Sequence, residues 1–368
     1  MDEREAYIAL NMMEKVGPVG VKSLVERLGS ARAIFDCSPS AMQGIRGIGS
    51  ASIATILDQR DSVDWAGEVE RSATLGARIV ARIDEEYPAQ LREIHDPPLA
   101  LYVRGTLESR DRHCIAVVGT RRPTHYGRET ATDLSFQLAR HGFTVASGLA
   151  TGIDTCAHEA TVRAQGRTVA VMGSGLDRMF PEQNAGLADE ITRHGAVISE
   201  FPLGRQPDKT TFPMRNRIVS GLAMGVLVVE AGRKSGALIT ASQALQQGRS
   251  VFAVPGRIDS RASRGTNELI RGGAALVRGV EDILAEYEFI LSPSVGAPLP
   301  ESGGRKRGPR ELSPEEERII SVLNGGECAV DSLIRESGLA PARIGSLLLQ
   351  MEMKHLVRML PGRVVEAC

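Results

Sequence analysis

The sequence predicts an α/β protein built on an extended, Rossmann-like, doubly wound parallel sheet, and three observations carry that expectation. From residue 114 onward, short apolar runs recur with starts 24 to 29 residues apart, close to one strand–helix unit of a parallel sheet. The runs are apolar throughout and do not alternate with polar residues, as strands covered by helices on both faces require. The segments between them, such as 128–141 and 237–248, have helix-like composition and spacing.

In chain order the expected strands are CIAVV (114–118), FTVAS (143–147), TVAVM (168–172), AVISE (196–200), GVLVVE (225–230), SVFAV (250–254) and AALV (274–277). Two earlier runs, ARIVARID and ALYVRG, are expected to add a strand pair at one edge, so that the domain spans 80–290. Residues 1–75 read as a small all-α domain of helix-hairpin-helix or SAM-like type. Its two glycine pairs, Gly17–Gly20 and Gly47–Gly49, each precede an apolar helical stretch. Such turns either offer backbone N–H groups to a DNA phosphate or simply join packed helices, and the acidic residues Asp58, Asp61, Asp64, Glu68 and Glu70 favour the second reading. Residues 291–310 are rich in Pro, Gly and Ser and read as a flexible linker ending in the basic RKRGPR. Beyond it, 311–368 suggest three helices and a hairpin, a winged-helix-like domain that begins with a serine N-cap and a proline in the first helical turn. Its would-be recognition helix has only Arg343, Lys354 and His355 as basic groups among many Leu and Met. That composition fits a protein-contact or structural module better than a reader of duplex DNA.

With 368 residues, 42% of them hydrophobic and 24% charged, the chain has the composition of an ordinary globular protein of two or three domains. No apolar run approaches the roughly 20 residues that span a bilayer, and the acidic start MDEREAYIAL lacks the features of a signal peptide, so a cytoplasmic protein is expected. Five scattered cysteines, Cys37, Cys114, Cys156, Cys328 and Cys368, form no CxxC pair and argue against disulfides or zinc. His158 near Cys156 reads as helix packing and not as a metal site. The net charge of −1 says nothing about nucleic acid, so the placement of charge has to.

In an open parallel sheet, ligands bind beyond the carboxyl ends of the strands, near the reversal of strand order. The first turn there is Gly119-Thr120-Arg121-Arg122-Pro123. The second carries Ser147, Gly148, Gly152 and Asp154, and the third carries Gly173, Ser174 and Gly175. Three glycine turns on one edge would form a phosphate cradle. The stretch 202–221 adds Arg205, Lys209, Arg215, Asn216 and Arg217 against the single acid Asp208, with Phe212 among them. Cations that follow phosphates and a ring that stacks on a base are what single-stranded nucleic acid needs. Arg233, Lys234, Arg257, Arg261 and Arg264 extend the basic rim. There is no GxxxxGK[ST] loop, no strand followed by GxGxxG and no HExxH, so no catalytic residue, cofactor or metal is expected.

The runs VVGTRRPTHYG, SGLATGIDTCAHEAT, VMGSGLDRMFPEQN, FPMRNRIVSG, VVEAGRKSGALITASQAL and VFAVPGRIDSRASRGTNELIRGGA, over about 112–285, closely resemble the DNA-processing protein A (DprA/Smf) family. The resemblance implies a non-enzymatic protein that binds and protects single-stranded DNA and helps load RecA recombinase in natural transformation, working as a dimer through the Rossmann-like domain. It also implies that Arg121 and Lys209 belong to the DNA pocket, with Phe212 as the aromatic that contacts a base. In the stretch Phe180–Asn184, where some relatives are basic, this chain has Glu182 and Gln183. A second reading is a nucleotide-binding enzyme of phosphoribohydrolase type that uses Asp154, Glu200 or Glu230 at the same edge. The turn EAGRKSGALITA departs from the PGGxGTxxE motif of that class.

Overall fold

The computed structural model describes residues 1–287, 313–323, 328–353, 356–360 and 364–367. The expected linker at 291–310, and Lys354, His355 and Cys368, lie outside the described residues. The chain divides into two compact units, Met1–Pro300 and Glu301–Cys368.

The first unit opens with five helices, α1 (Glu3–Met12), α2 (Pro18–Leu28), α3 (Ala31–Asp36), α4 (Ser50–Gln59) and α5 (Trp65–Thr74). Then come β1 (Ala77–Ala81), α6 (Ala89–Arg92) and β2 (Ala100–Gly105). The α/β succession follows with β3 (Cys114–Val118), α7 (His125–Arg140), β4 (Thr144–Ser147), α8 (Ile153–Arg163), β5 (Thr168–Val171), α9 (Ala185–His194) and β6 (Gly195–Ser199). It ends with α10 (Thr211–Leu222), β7 (Gly225–Val228), α11 (Ala237–Gln246), β8 (Ser250–Ala253), α12 (Arg264–Arg271), β9 (Ala275–Leu276) and α13 (Val280–Tyr287).

The nine strands form one sheet in the order β1-β2-β6-β5-β4-β3-β7-β8-β9. All pairings from β6 to β9 are parallel. The early runs form the expected edge pair, with β1 antiparallel to β2 and β2 antiparallel to β6. From β3 the chain winds outward through β4, β5 and β6, then returns to lay β7 on the other side of β3. This is the topological switch point where such sheets bind ligands.

Strand residues alternate between two cores, which explains the unbroken apolar runs. Ala116, Val118, Val226 and Val228 pack with Ile218 and Val219 of α10 and Ala241 of α11 on one face. Ile115, Val117, Leu227 and Val229 pack with Leu134 and Leu138 of α7, Ile153 of α8 and Ile283 of α13 on the other.

The N-terminal helices belong to the same compact unit as the sheet. Ile8 of α1 packs with Ile79, Ala100 and Tyr102 of the edge strands, the Tyr102 hydroxyl donates to Glu68 at 2.9 Å, and Asn11 donates to the Glu200 carbonyl at 2.9 Å. The glycine pairs sit differently from one another. Gly49 caps α4, whereas Gly17 caps α2 and Gly20 lies inside its first turn, against the Gly47 carbonyl of the other pair.

The second unit consists of α14 (Pro314–Val322), β10 (Cys328–Ala329), α15 (Val330–Ser337), α16 (Pro341–Met353), β11 (Val357–Leu360) and β12 (Val364–Ala367). Ser313 caps α14 in a capping box with Glu316, as its sequence predicts. Leu347, Leu348 and Met351 of α16 are buried and not displayed. Ile344, Leu347, Leu348 and Met351 fill the unit's own core, because a domain this small needs one whole helix face to bury. Arg343 pairs with Glu315 at 2.6 Å, so this basic group of the expected recognition helix is already neutralised.

Candidate nucleic-acid interface

At the switch point, the loops after β3 and β7 and the first turns of α10 and α11 enclose an open groove of about 560 Å³. Its lining includes Gly119, Thr120, Arg121, Gly148, Asp154, Lys209, Phe212, Arg215, Asn216 and Lys234.

The basic stretch 202–221 is a loop only up to Thr210. From Thr211 it is helical, and its N-terminus is tied down by Asp208, whose carboxylate accepts the Thr210 and Thr211 amides at 2.6 and 3.0 Å. Proline at 213 is compatible with a first turn, where N–H groups lack helical partners anyway. At 100° per residue, Phe212, Arg215 and Asn216 share one face and Arg217 points elsewhere. Arg217 is therefore not on the groove. It is buried, pairs with Asp96 at 3.0 Å and with Glu200, and donates nothing to a ligand there. Arg205 is paired too, with Asp208 at 2.7 Å.

Arg215 lines the groove but acts mainly as a tie. It is buried, and its Nη1 donates to the carbonyl oxygens of Gly148 and Val171, joining the ends of β4 and β5. Burial lowers its pKa to about 10, against the attraction of Asp154. Burial likewise raises Asp154, chiefly against Arg215, and its Oδ2 accepts the amides of Gly148 and Ala150 at 3.1 and 3.3 Å.

Phe212 is held between two neighbours. The Arg121 guanidinium lies 5.0 Å from its ring centroid, and the Phe180 ring lies 5.8 Å away at 39°. The ring also rests on Gly173, where a Cβ would stand 3.0 Å from Phe212 Cδ1. Arg121, Lys209 and Lys234 are exposed on the groove, and none of them forms an ion pair among the described residues. They are its available cations.

The three glycine turns do not form one phosphate cradle. Ser147 and Ser174 are buried and donate to the carbonyls of Val117 and Arg178 at 2.6 and 2.7 Å, so their hydroxyls serve the interior. Gly152, at φ +90°, lets the start of α8 press against the Thr120 carbonyl, where a Cβ would approach to 2.4 Å. Gly175 lies under the 202–205 loop and bonds to the Arg205 carbonyl at 2.9 Å. Of those turns, Gly119, Thr120, Arg121, Gly148, Ala150 and Asp154 line the groove, and Ser147, Gly152, Gly173, Ser174 and Gly175 do not.

Glu182 and Gln183 are exposed and do not line the groove, yet their turn contributes Phe180 to the aromatic pair. Sequence reasoning passed over Phe180. Its signal was an apolar ring in a polar turn, and it is 46% exposed.

The carboxylates of the enzyme reading are each occupied. Glu230 accepts the amide and hydroxyl of Thr124 at 2.8 and 2.7 Å, Glu200 holds Arg217, and Asp154 closes its own loop. His158 is fully buried, with Nδ1 2.7 Å from the Thr168 hydroxyl. No His, Cys, Asp and Glu cluster suited to a metal occurs among the described residues. No helix among them is long and apolar enough to cross a membrane.

Residues 78–288 match the family described as DNA recombination-mediator protein A, and residues 304–363 match the DprA winged helix domain. Protein Smf of Synechocystis is 33% identical over 388 aligned residues, covering 98% of each chain. The crystal structure of DNA processing protein A from Streptococcus pneumoniae superposes with a TM-score of 0.68 at 33% identity, covering 78% of this chain and 99% of that one. DNA processing protein A from Helicobacter pylori, solved to describe that protein's single-stranded DNA binding mode, superposes with a TM-score of 0.52 at 29% identity, covering 58% of this chain and 96% of that one. With that family model matching 78–288, its winged helix model matching 304–363 and a relative 33% identical along 98% of both chains, this chain belongs to the DNA recombination-mediator protein A (DprA/Smf) family.

Proposed function

We propose that the chain binds single-stranded DNA in the groove between β3 and β7, and that it has no catalytic role. The observation that carries the reading is that Arg121, Lys209 and Lys234 line one groove with Phe212, whose ring faces the Arg121 guanidinium. Three unpaired cations can follow successive phosphates, and an aromatic ring offers a base a stacking face worth about 1–3 kcal/mol. The single-stranded DNA binding mode described for the Helicobacter relative supports the same ligand class. Protection of incoming DNA, loading of RecA recombinase in natural transformation and a dimer formed through the α/β unit extend this proposal and rest on the family resemblance, and a cytoplasmic location rests on the composition of the chain.

Fluorescence-anisotropy titration with labelled oligo-dT tests the binding site. Arg121→Ala and Lys209→Ala are expected to weaken binding and flatten its salt dependence, because each neutralised phosphate of a single strand contributes a slope of about −0.7. Phe212→Ala is expected to weaken binding while leaving that slope almost unchanged. Wild-type affinity in both cation variants would rule out this groove.

A further inference from the structure

Beyond the groove, the loops after β3 and β8 carry large apolar side chains that the fold leaves uncovered. Tyr126, in the first turn of α7, is 51% exposed, and Ile258, in the loop after β8, is 93% exposed. Neither is loosely held. The Tyr126 hydroxyl donates to the Pro255 carbonyl at 3.0 Å, bridging the two loops and leaving the ring open to solvent. The β8 loop is pinned across its base, where Asn267 accepts from the Gly256 amide at 3.2 Å and donates to the Gly256 carbonyl at 2.9 Å. This loop also reaches the groove, since a Cβ on the groove residue Gly232 would lie 3.4 Å from the Arg261 carbonyl.

The charge around these side chains is positive. Arg257 is neutralised by Asp259 at 2.9 Å, and His125 sits against Glu129 at 2.8 Å. Arg122 and Arg261 are exposed, and neither forms an ion pair among the described residues. A fixed aromatic face and an apolar tip flanked by unpaired arginines, next to a groove that takes a strand, have the chemistry of a single-stranded nucleic-acid track. A protein partner with an acidic rim is the competing occupant. Continuity with the groove favours the strand.

The geometry points to a second nucleotide station, with Tyr126 and Ile258 as base contacts and Arg122 and Arg261 as phosphate contacts, by which the strand leaves the Arg121–Phe212 groove toward β8. This station rests on the groove binding single-stranded DNA. Its test therefore compares a short oligo-dT of about six nucleotides, near the small end of known single-strand site sizes, with one of about twenty.

Tyr126→Ala and Ile258→Ser are expected to lower affinity for the long oligonucleotide about fivefold or more, in keeping with the loss of one stacked base, and to leave the short one almost unchanged. Tyr126→Phe keeps the ring and should keep wild-type affinity, which separates stacking from the Pro255 tether. Ile258→Ser touches no core and guards against misfolding of the tyrosine variant. Failure of the wild-type chain to bind either oligonucleotide would remove the groove reading itself. Wild-type binding with equal long-oligonucleotide affinity in Tyr126→Ala and Ile258→Ser would overturn the station alone and return the patch to a protein partner.

Discussion

The Arg215 guanidinium donates to the carbonyls of Gly148 and Val171 and faces the Asp154 carboxylate, so its removal strands several buried groups at once. Each buried acceptor left unpaired costs about 1–3 kcal/mol. Arg215→Ala is therefore expected to lower the urea midpoint markedly, whereas Lys209→Ala, on an exposed residue, should leave it unchanged and affect only DNA affinity. Denaturation and anisotropy of the two variants together separate a tie from a contact. At His158 the interior decides both tautomer and charge. The Thr168 hydroxyl spends its proton on the Val145 carbonyl at 2.7 Å, so His158 Nδ1 must carry the donor hydrogen, and Nε2 is left without a partner. Burial, aided by Arg215, lowers its pKa to about 3. As pH falls below the ordinary value near 6.5, the unfolded chain takes up a proton that the native state refuses until about pH 3. The contribution of this group to stability is thus fully present above pH 6.5 and is lost on acidification, by at most about 1.4 kcal/mol per pH unit. His158→Asn should flatten the fall in stability between pH 6 and 4, and identical slopes in urea unfolding would count against this account.

At the level of elements, the groove depends on how helices start. The N-terminus of α10 is set by Asp208 and brings Phe212, Arg215 and Asn216 to one face, and α8 begins at Gly152 in a conformation that L side chains rarely adopt. Gly152→Ala is expected to push the Gly119–Arg122 turn out of place, lowering both stability and oligo-dT affinity. Gly236→Ala is the control. It lies on the same groove at φ −60° with open space where its Cβ would go, so it should fold with wild-type stability. Thermal unfolding and anisotropy on this pair check that the turn, and not any glycine on the groove, is the sensitive element.

In the whole molecule, every groove residue lies in the Met1–Pro300 unit, so a chain ending after Pro300 is expected to bind oligo-dT within about twofold of the full chain. Three available cations predict a salt slope of roughly −2 for the groove, at about −0.7 per phosphate. A slope near zero would mean that the cations do not meet phosphate.

The strands, the class of sheet and a basic ligand edge bearing Phe212 were legible in the chain's local pattern, while the family resemblance pointed to Arg121 and Lys209 within it. A strand buried on both faces must be apolar along its whole length, and the residues that follow such strands must reach the ligand edge. Which cations are free depends on contacts between elements distant in the chain. Arg217 meets Asp96 and Glu200, and Arg215 meets the ends of two other strands, through contacts far apart in the chain. The serines of the glycine turns looked like ligands for the same reason that they proved structural, since a hydroxyl at a strand end can serve either water or the carbonyl of the neighbouring strand. The strand order settled which loops meet: β3 and β7 are sheet neighbours although three strands separate them in sequence. Local pattern records what a residue can bury, and only the assembled sheet determines what charge and hydrogen-bonding partners it finds there.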